Sequence, residues 1–365
     1  MRGTLDERLT PSVTVSEQLI PGARTIPSLD GLRAVSIGLV LLAHAQGTAG
    51  FPVWIPRAIS DHGKLGVQIF FVISGFLITT LLIRERASSG TISLQLFYAR
   101  RTLRIFPPLY LFLAAISLAT WMGVLNIPKV NLLAGATYTM NYIPQGVWIT
   151  NHLWSLSVEE QFYLVWPVTI RLAGLRRALW IAAILAVTAP VLCLAFYLID
   201  SNAGSRASLY FPFVADSIAA GCVLAGILPS LRRRSLFRFF GAPAGAIVIP
   251  LVLVLDLGRN HPRLHMAATE LFLNVCICYA VVRFTEFPGR LAGRILNHSV
   301  LVFIGKMSYS LYLWQQIFMN PTNPSQRFPL NLVESFGCAL LSYYLVETPI
   351  AGMRRRLRPA ALRTS

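Results

Sequence analysis

A single histidine, His44, lies in the apolar run A-V-S-I-G-L-V-L-L-A-H-A, and Arg33 precedes it by eleven residues. On a helix, eleven residues come to about 20° past three full turns and about 16 Å of rise, so both side chains project from one face. Ionisable groups inside an apolar segment are costly and are functional candidates by default. A guanidinium at the inner rim and an imidazole near mid-membrane would line one groove, a neutral base beyond a cation. The plainer alternative is a core histidine bonded to a neighbouring carbonyl, with an arginine that only marks topology.

Three further runs carry polar groups where apolar ones are expected. In F-Y-A-R-R-T-L-R-I-F-P-P, Arg101 and Arg104 share a helix face just below a span that Pro107 and Pro108 open. Two forked guanidiniums suit phosphate or pyrophosphate, although topology signalling needs charge alone. In H-L-W-S-L-S-V-E-E-Q-F-Y-L-V-W-P, Glu159 and Glu160 follow Ser155 and Ser157 at the start of an apolar stretch. Ser157 as N-cap with Glu160 three residues on would make a capping box, which accounts for Glu160 without chemistry and says less about Glu159. The run I-G-K-M-S-Y-S-L-Y-L-W-Q-Q carries Lys306, Ser308, Tyr309, Tyr312 and Gln315, more than an interfacial aromatic belt requires. Glu347 stands near the inner end of the last apolar stretch, where pairing with Arg354 to Arg356 is the plain reading. Ser74 and Gly75 form a small pair that permits close helix approach.

These residues need a membrane-embedded scaffold to hold them. The chain has 365 residues, 55% hydrophobic and only 13% charged, against about 25% charged in ordinary soluble domains. That balance excludes a soluble enzyme, a disordered chain and a disulfide-rich scaffold. Ten apolar stretches stand out: 34–49, 65–83, 107–125, 158–170, 178–199, 209–228, 241–257, 267–284, 300–319 and 330–350. A shorter one, 131–142, reads as re-entrant or interfacial. With ten spans and both termini inside, 24 of the 32 Lys and Arg fall on the cytoplasmic side and seven outside, which satisfies the positive-inside rule. Eleven spans would send several dense clusters outward. The net charge of +17 is therefore dealt out loop by loop, unlike the single basic face of a nucleic-acid reader. Cys193, Cys222, Cys276, Cys278 and Cys338 lie in or beside apolar stretches without metal-ligand spacing, so no metal site is expected. The first 28 residues show no apolar signal region, so the first apolar stretch is expected to stay as an anchor. The fold class expected is all-α, a polytopic integral membrane bundle. A cytoplasmic tail over 1–28, a transmembrane domain over 29–350 and a basic cytoplasmic tail over 351–365 complete it.

Taken in order, S-L-D-G-L-R-A-V-S-I-G-L-V-L-L-A-H-A, G-V-Q-I-F-F-V-I-S-G-F-L-I-T, Y-A-R-R-T-L-R-I-F-P-P-L-Y, the Ser155 to Glu160 run and I-G-K-M-S-Y-S-L-Y-L-W resemble the bacterial membrane-bound acyltransferase 3 family, from about Ser28 to Glu347. The resemblance implies transfer of an acyl group, commonly acetyl, from cytoplasmic acyl-CoA to a hydroxyl. Acceptors it implies are surface polysaccharides, lipid-linked glycans, Nod factors and macrolides, and the location it implies is the bacterial cytoplasmic (inner) membrane. The family's arginine-to-histidine pattern maps onto Arg33 and His44, its paired arginines onto Arg101 and Arg104, and its serine-to-glutamate motif onto Ser155, Ser157, Glu159 and Glu160. Its late acid maps onto Glu347. Many relatives close the L-Y-L-W motif with histidine, where this chain has Gln315. Some relatives carry a C-terminal hydrolase-like domain; with fifteen residues after Ile350, a transmembrane unit standing alone is expected.

On this resemblance, Arg101 and Arg104 would hold CoA phosphates, Arg33 would assist, and His44 would act as general base on the acceptor hydroxyl. An acid among Glu159, Glu160 and Glu347 would orient His44; Ser74, Ser155, Ser157, Lys306, Ser308, Tyr309, Tyr312 and Gln315 would support the site or the acceptor. An acyl-histidine intermediate is the competing mechanism. Acyl-CoA is a co-substrate rather than a bound cofactor, and the partners are the bilayer and a glycan, lipid-linked sugar or small-molecule acceptor. The rival class, a transporter or flippase, would bring broken helices and internal repeats.

Overall fold

The computed structural model describes residues 26–144, 146–200, 209–257 and 269–356, and most of both expected tails lies outside them. The described residues form helices and turns, with one isolated bridge between Ala49 and Arg327. The helices used below are α1 (Pro27–Ala45), α2 (Gly63–Ser89), α3 (Leu94–Trp121), α4 (Lys129–Ala136), α5 (Leu153–Ala173) and α6 (Leu175–Ile199). They continue as α7 (Asp216–Arg232), α8 (Val248–Leu257), α9 (Glu270–Glu286), α10 (Ser299–Lys306) and α11 (Ser308–Phe318). Last comes α12 (Leu330–Ser342), which runs through a π turn at Tyr343–Glu347 into α13 (Thr348–Arg356).

Four helices, α1, α2, α3 and α6, are long and apolar enough to cross a membrane. The other expected stretches are also helical but shorter, more polar or interrupted. The stretch expected at 209–228 divides into Phe211–Val214 and α7, and the one at 300–319 breaks at Met307 into α10 and α11. The short 131–142 stretch becomes α4 followed by a 3₁₀ turn at Met140–Tyr142. Outward faces carry large apolar side chains, such as Trp180, Ile184, Val187 and Val191 on α6, as a surface facing hydrocarbon would.

Two expectations about helix starts are corrected. Pro107 and Pro108 lie inside α3 rather than opening a span; the helix begins at Leu94, where Ser93 caps it by accepting from the Leu96 amide at 3.4 Å. Paired prolines cost α3 two backbone donors, leaving the Leu103 and Arg104 carbonyls without their usual partners. Tyr309 of α11 reaches this opened turn, its hydroxyl donating to the Ile105 carbonyl at 2.8 Å. Nor do Ser157 and Glu160 form a capping box. α5 starts at Leu153 with His152 at the N-cap, so Ser157 sits in the second turn. There it donates to the Leu153 carbonyl at 2.9 Å and accepts from the Met140 amide at 3.2 Å.

Two contacts fix α2, which carries Ser74. A Cβ at Gly75 would fall on the Ile218 carbonyl of α7, and one at Gly221 on the Val72 carbonyl of α2, so the two backbones meet only through paired glycines. On another face, Trp166 of α5 donates to Thr79 of α2 at 2.8 Å. Ser74 is thereby held between α1 and α5.

Candidate active site

α1 is unbroken from Arg33 to His44, so the shared face inferred from their spacing is kept. His44, however, occupies the last turn of α1 rather than its middle. The two residues therefore belong to two connected sites, one around each end of the helix.

At the Arg33 end lies a cavity of about 50 Å³ lined by Arg33, Ser74, Ser155, Glu159, Ser308, Tyr309 and Tyr312, together with Val67, Phe70, Phe71 and Leu156. Residues from α1, α2, α5 and α11 thus converge, although they are up to 279 positions apart in the sequence. Glu159 accepts from the hydroxyls of Ser74 and Tyr163. Ser74 thus serves the site while its neighbour Gly75 serves the helix contact. The guanidinium of Arg101 lies over the Tyr163 ring, 4.5 Å from its centroid, and 5.9 Å from that of Phe97. Arg101 and Arg104 also interact electrostatically with Glu160, and Arg104 with Arg33 and Asp30. Lys306, at the end of α10, joins this field through Asp30. Among the described residues no carboxylate comes within 4.0 Å of Arg33, Arg101 or Arg104, and Arg33 Nε and Glu160 Oε1 are buried without a hydrogen-bond partner. Three guanidinium forks are therefore gathered at one end of the bundle without being consumed by ion pairs.

At the other end, both ring nitrogens of His44 face amides. Nδ1 is 2.8 Å from Gln315 Oε1, and Nε2 is 3.3 Å from Gln316 Nε2. The Trp148 ring packs edge-on at 5.4 Å between centroids. The carboxylate expected to orient His44 is replaced by two glutamines. Glu159 is engaged at the Arg33 cavity, and Glu347, in the π turn, lies 2.5 Å from Ser310 Oγ. Ser310 Oγ is also 3.0 Å from Ser342 Oγ, which ties α11 to α12. The side chains of Arg354 to Arg356 lie outside what is described.

His152 connects the two ends. Its backbone N–H and Nδ1 lie 3.1 and 2.8 Å from Gln316 Oε1. Its carbonyl is met by Tyr312 and Ser155 hydroxyls at 3.1 and 3.2 Å, and those hydroxyls are 2.7 Å from each other. A buried polar path thus leads from the Arg33 cavity through Ser155, Tyr312, His152 and Gln316 to His44. Sequence reasoning missed His152, Gln316 and Trp148. His152 headed a motif chosen for its carboxylates, and Gln316 stood beside the glutamine that drew notice. Trp148 belongs to a four-residue helix with no periodicity to reveal it.

The chain belongs to the acyltransferase 3 family, whose acyltransferase domain model matches residues 26–346. Its relatives include the O-acetyltransferase OatA of Staphylococcus aureus, strains NCTC 8325 / PS 47 and COL, each 28% identical over 365 residues. Those matches cover 90% of this chain and 57% of the relative. A further protein of S. aureus strain COL, provisionally named an O-acetyltransferase, is 28% identical over 357 residues, covering 89% of this chain and 57% of its own length. The chain thus spans little more than half the length of these relatives. No solved structure matches it.

Proposed function

We propose that the chain is a multi-pass O-acyltransferase of a bacterial cytoplasmic membrane, moving an acyl group, acetyl by preference, from cytoplasmic acyl-CoA to a hydroxyl of a carbohydrate or glycosylated acceptor. The observation that carries this reading is the polar path joining three guanidiniums at one end of the bundle to a neutral imidazole at the other. Arg101 and Arg104 bind the anionic groups of CoA, and Arg33 guides the arm that bears the thioester. His44 accepts the acceptor's hydroxyl proton as the oxygen attacks the thioester carbonyl. The carbon–sulfur bond then breaks, and the CoA thiolate leaves with that proton. Both amide partners are neutral, so the base works without a carboxylate behind it.

Purified protein in lipid nanodiscs, supplied with acetyl-CoA and candidate glycans, tests the reading by release of free CoA. Arg101→Ala and Arg104→Ala are each expected to raise KM for acetyl-CoA about tenfold or more, the value of one charge-assisted bond to phosphate. Their kcat at saturating donor should hold. KM values that stay at wild type would remove the arginines from donor binding. Acceptor movement across a vesicle membrane without CoA release would instead identify a transporter, the class to which the break between α10 and α11 would also be suited.

A further inference from the structure

We propose that His152 is a positioning residue for His44, acting through Gln316 to decide which imidazole nitrogen is the base. The proposal deepens the acyltransferase reading and rests on it.

It starts from a group whose polarity is fixed, because a backbone N–H can only donate. The His152 N–H and Nδ1 both approach one atom of the Gln316 amide, at 3.1 and 2.8 Å. That atom must be the oxygen, since an amide nitrogen there would set donor against donor. Gln316 therefore turns its NH₂ toward His44, whose Nε2 is 3.3 Å away. A donor facing Nε2 requires a lone pair on it, so the ring proton belongs on Nδ1. There it donates to Gln315 Oε1 at 2.8 Å.

Gln315 cannot impose this state unaided. Its own Nε2 is buried with no partner, so nothing but the imidazole holds its amide one way round. His152 has no such freedom. It is 2% exposed, with the Phe112 and Tyr312 rings edge-on at 5.7 and 5.4 Å. Gln316 is equally buried, at 2%. His152 thus determines the Gln316 orientation, and Gln316 determines the His44 tautomer. Nε2 is the basic nitrogen, and its long contact to Gln316 is the one an acceptor hydroxyl replaces.

The test uses the full chain in nanodiscs, with nitrogen-15-labelled histidine. The His44 signals are assigned by their loss in His44→Ala. Wild type is expected to show a protonated Nδ1 and an unprotonated Nε2, the reverse of a free imidazole in water. Gln316→Leu, and less severely His152→Phe, should move these signals toward a mixture of tautomers. Both should lower kcat about tenfold or more, within the range a general base supplies, at unchanged KM for acetyl-CoA. His152→Asn, whose amide can still donate to the Gln316 oxygen, should recover much of both. A wild-type His44 protonated on Nε2 overturns the proposal, and that measurement needs no variant to fold. A tautomer indifferent to both substitutions overturns it as well. Full acyl transfer by His44→Ala would defeat the acyltransferase reading instead, and would leave the tautomer result intact.

Discussion

Replacing His44 with alanine abolishes acyl transfer, lowering CoA release by about 10²- to 10⁴-fold, while the protein remains in the membrane. The group removed is the imidazole at the end of the polar path, and no carboxylate stands close enough to its partners to take over. The substitution also strips two buried glutamines of a partner, at about 1–3 kcal/mol for each polar group left unmatched. Inactivity must therefore be separated from instability. His44→Gln does so: its amide can bond to Gln315 and Gln316 but has no basic nitrogen. It should accumulate and melt like wild type and remain inactive. Turnover by His44→Gln above a tenth of wild type would rule out a base at this position.

Gly75→Val should prevent the protein from accumulating in the membrane, and Gly75→Ala should lower its stability by about 1–3 kcal/mol. The obstacle at Gly75 is the Ile218 backbone carbonyl, which cannot rotate aside as a side chain could. Gly221 meets the Val72 carbonyl from the other side. Once α2 and α7 are forced apart by one alanine, the second finds room already made. The double variant should therefore cost less than the two single variants together. Gly38 and Gly337 are the controls: a methyl there meets nothing within 4 Å, and a helical alanine stabilises by up to about 1 kcal/mol. Thermal unfolding of purified protein in detergent measures all five variants. A wild-type melting temperature for Gly75→Ala would mean that the helices separate freely, and that Ser74 owes its position to something else.

Much of this site could be read from spacing because its strongest constraint is local. Arg33 and His44 share one uninterrupted helix, so geometry over eleven residues suffices. Arg101 and Arg104 were similarly accessible, although the proline pair disguised how far α3 extends. The Ser74–Gly75 pair was visible as a close-approach signal, but not the division of labour between its members. What spacing could not supply was partnership across the bundle. Gln315 and Gln316 meet His44 across more than 270 positions, and no local pattern encodes that contact. Amides titrate nowhere near neutral pH and attract little notice beside carboxylates, so an acid was expected where amides sit. Helix breaks were equally hidden. Met307 ends α10 inside a run that is apolar throughout, and hydropathy counts residues without registering where hydrogen bonding lapses.

The wide turn at Tyr343–Glu347 makes the last helix sensitive to length rather than to composition. A π turn holds one residue more than an α turn over the same rise. Deleting a single residue there would let the segment relax to regular α geometry at little cost in hydrogen bonds. Everything beyond it would then be re-indexed by about 100°. Glu347 would leave Ser310, and the tie between α11 and α12 would be lost along with it. Relatives that keep this turn can vary its side chains widely, but an insertion or deletion within it is a frameshift in three dimensions.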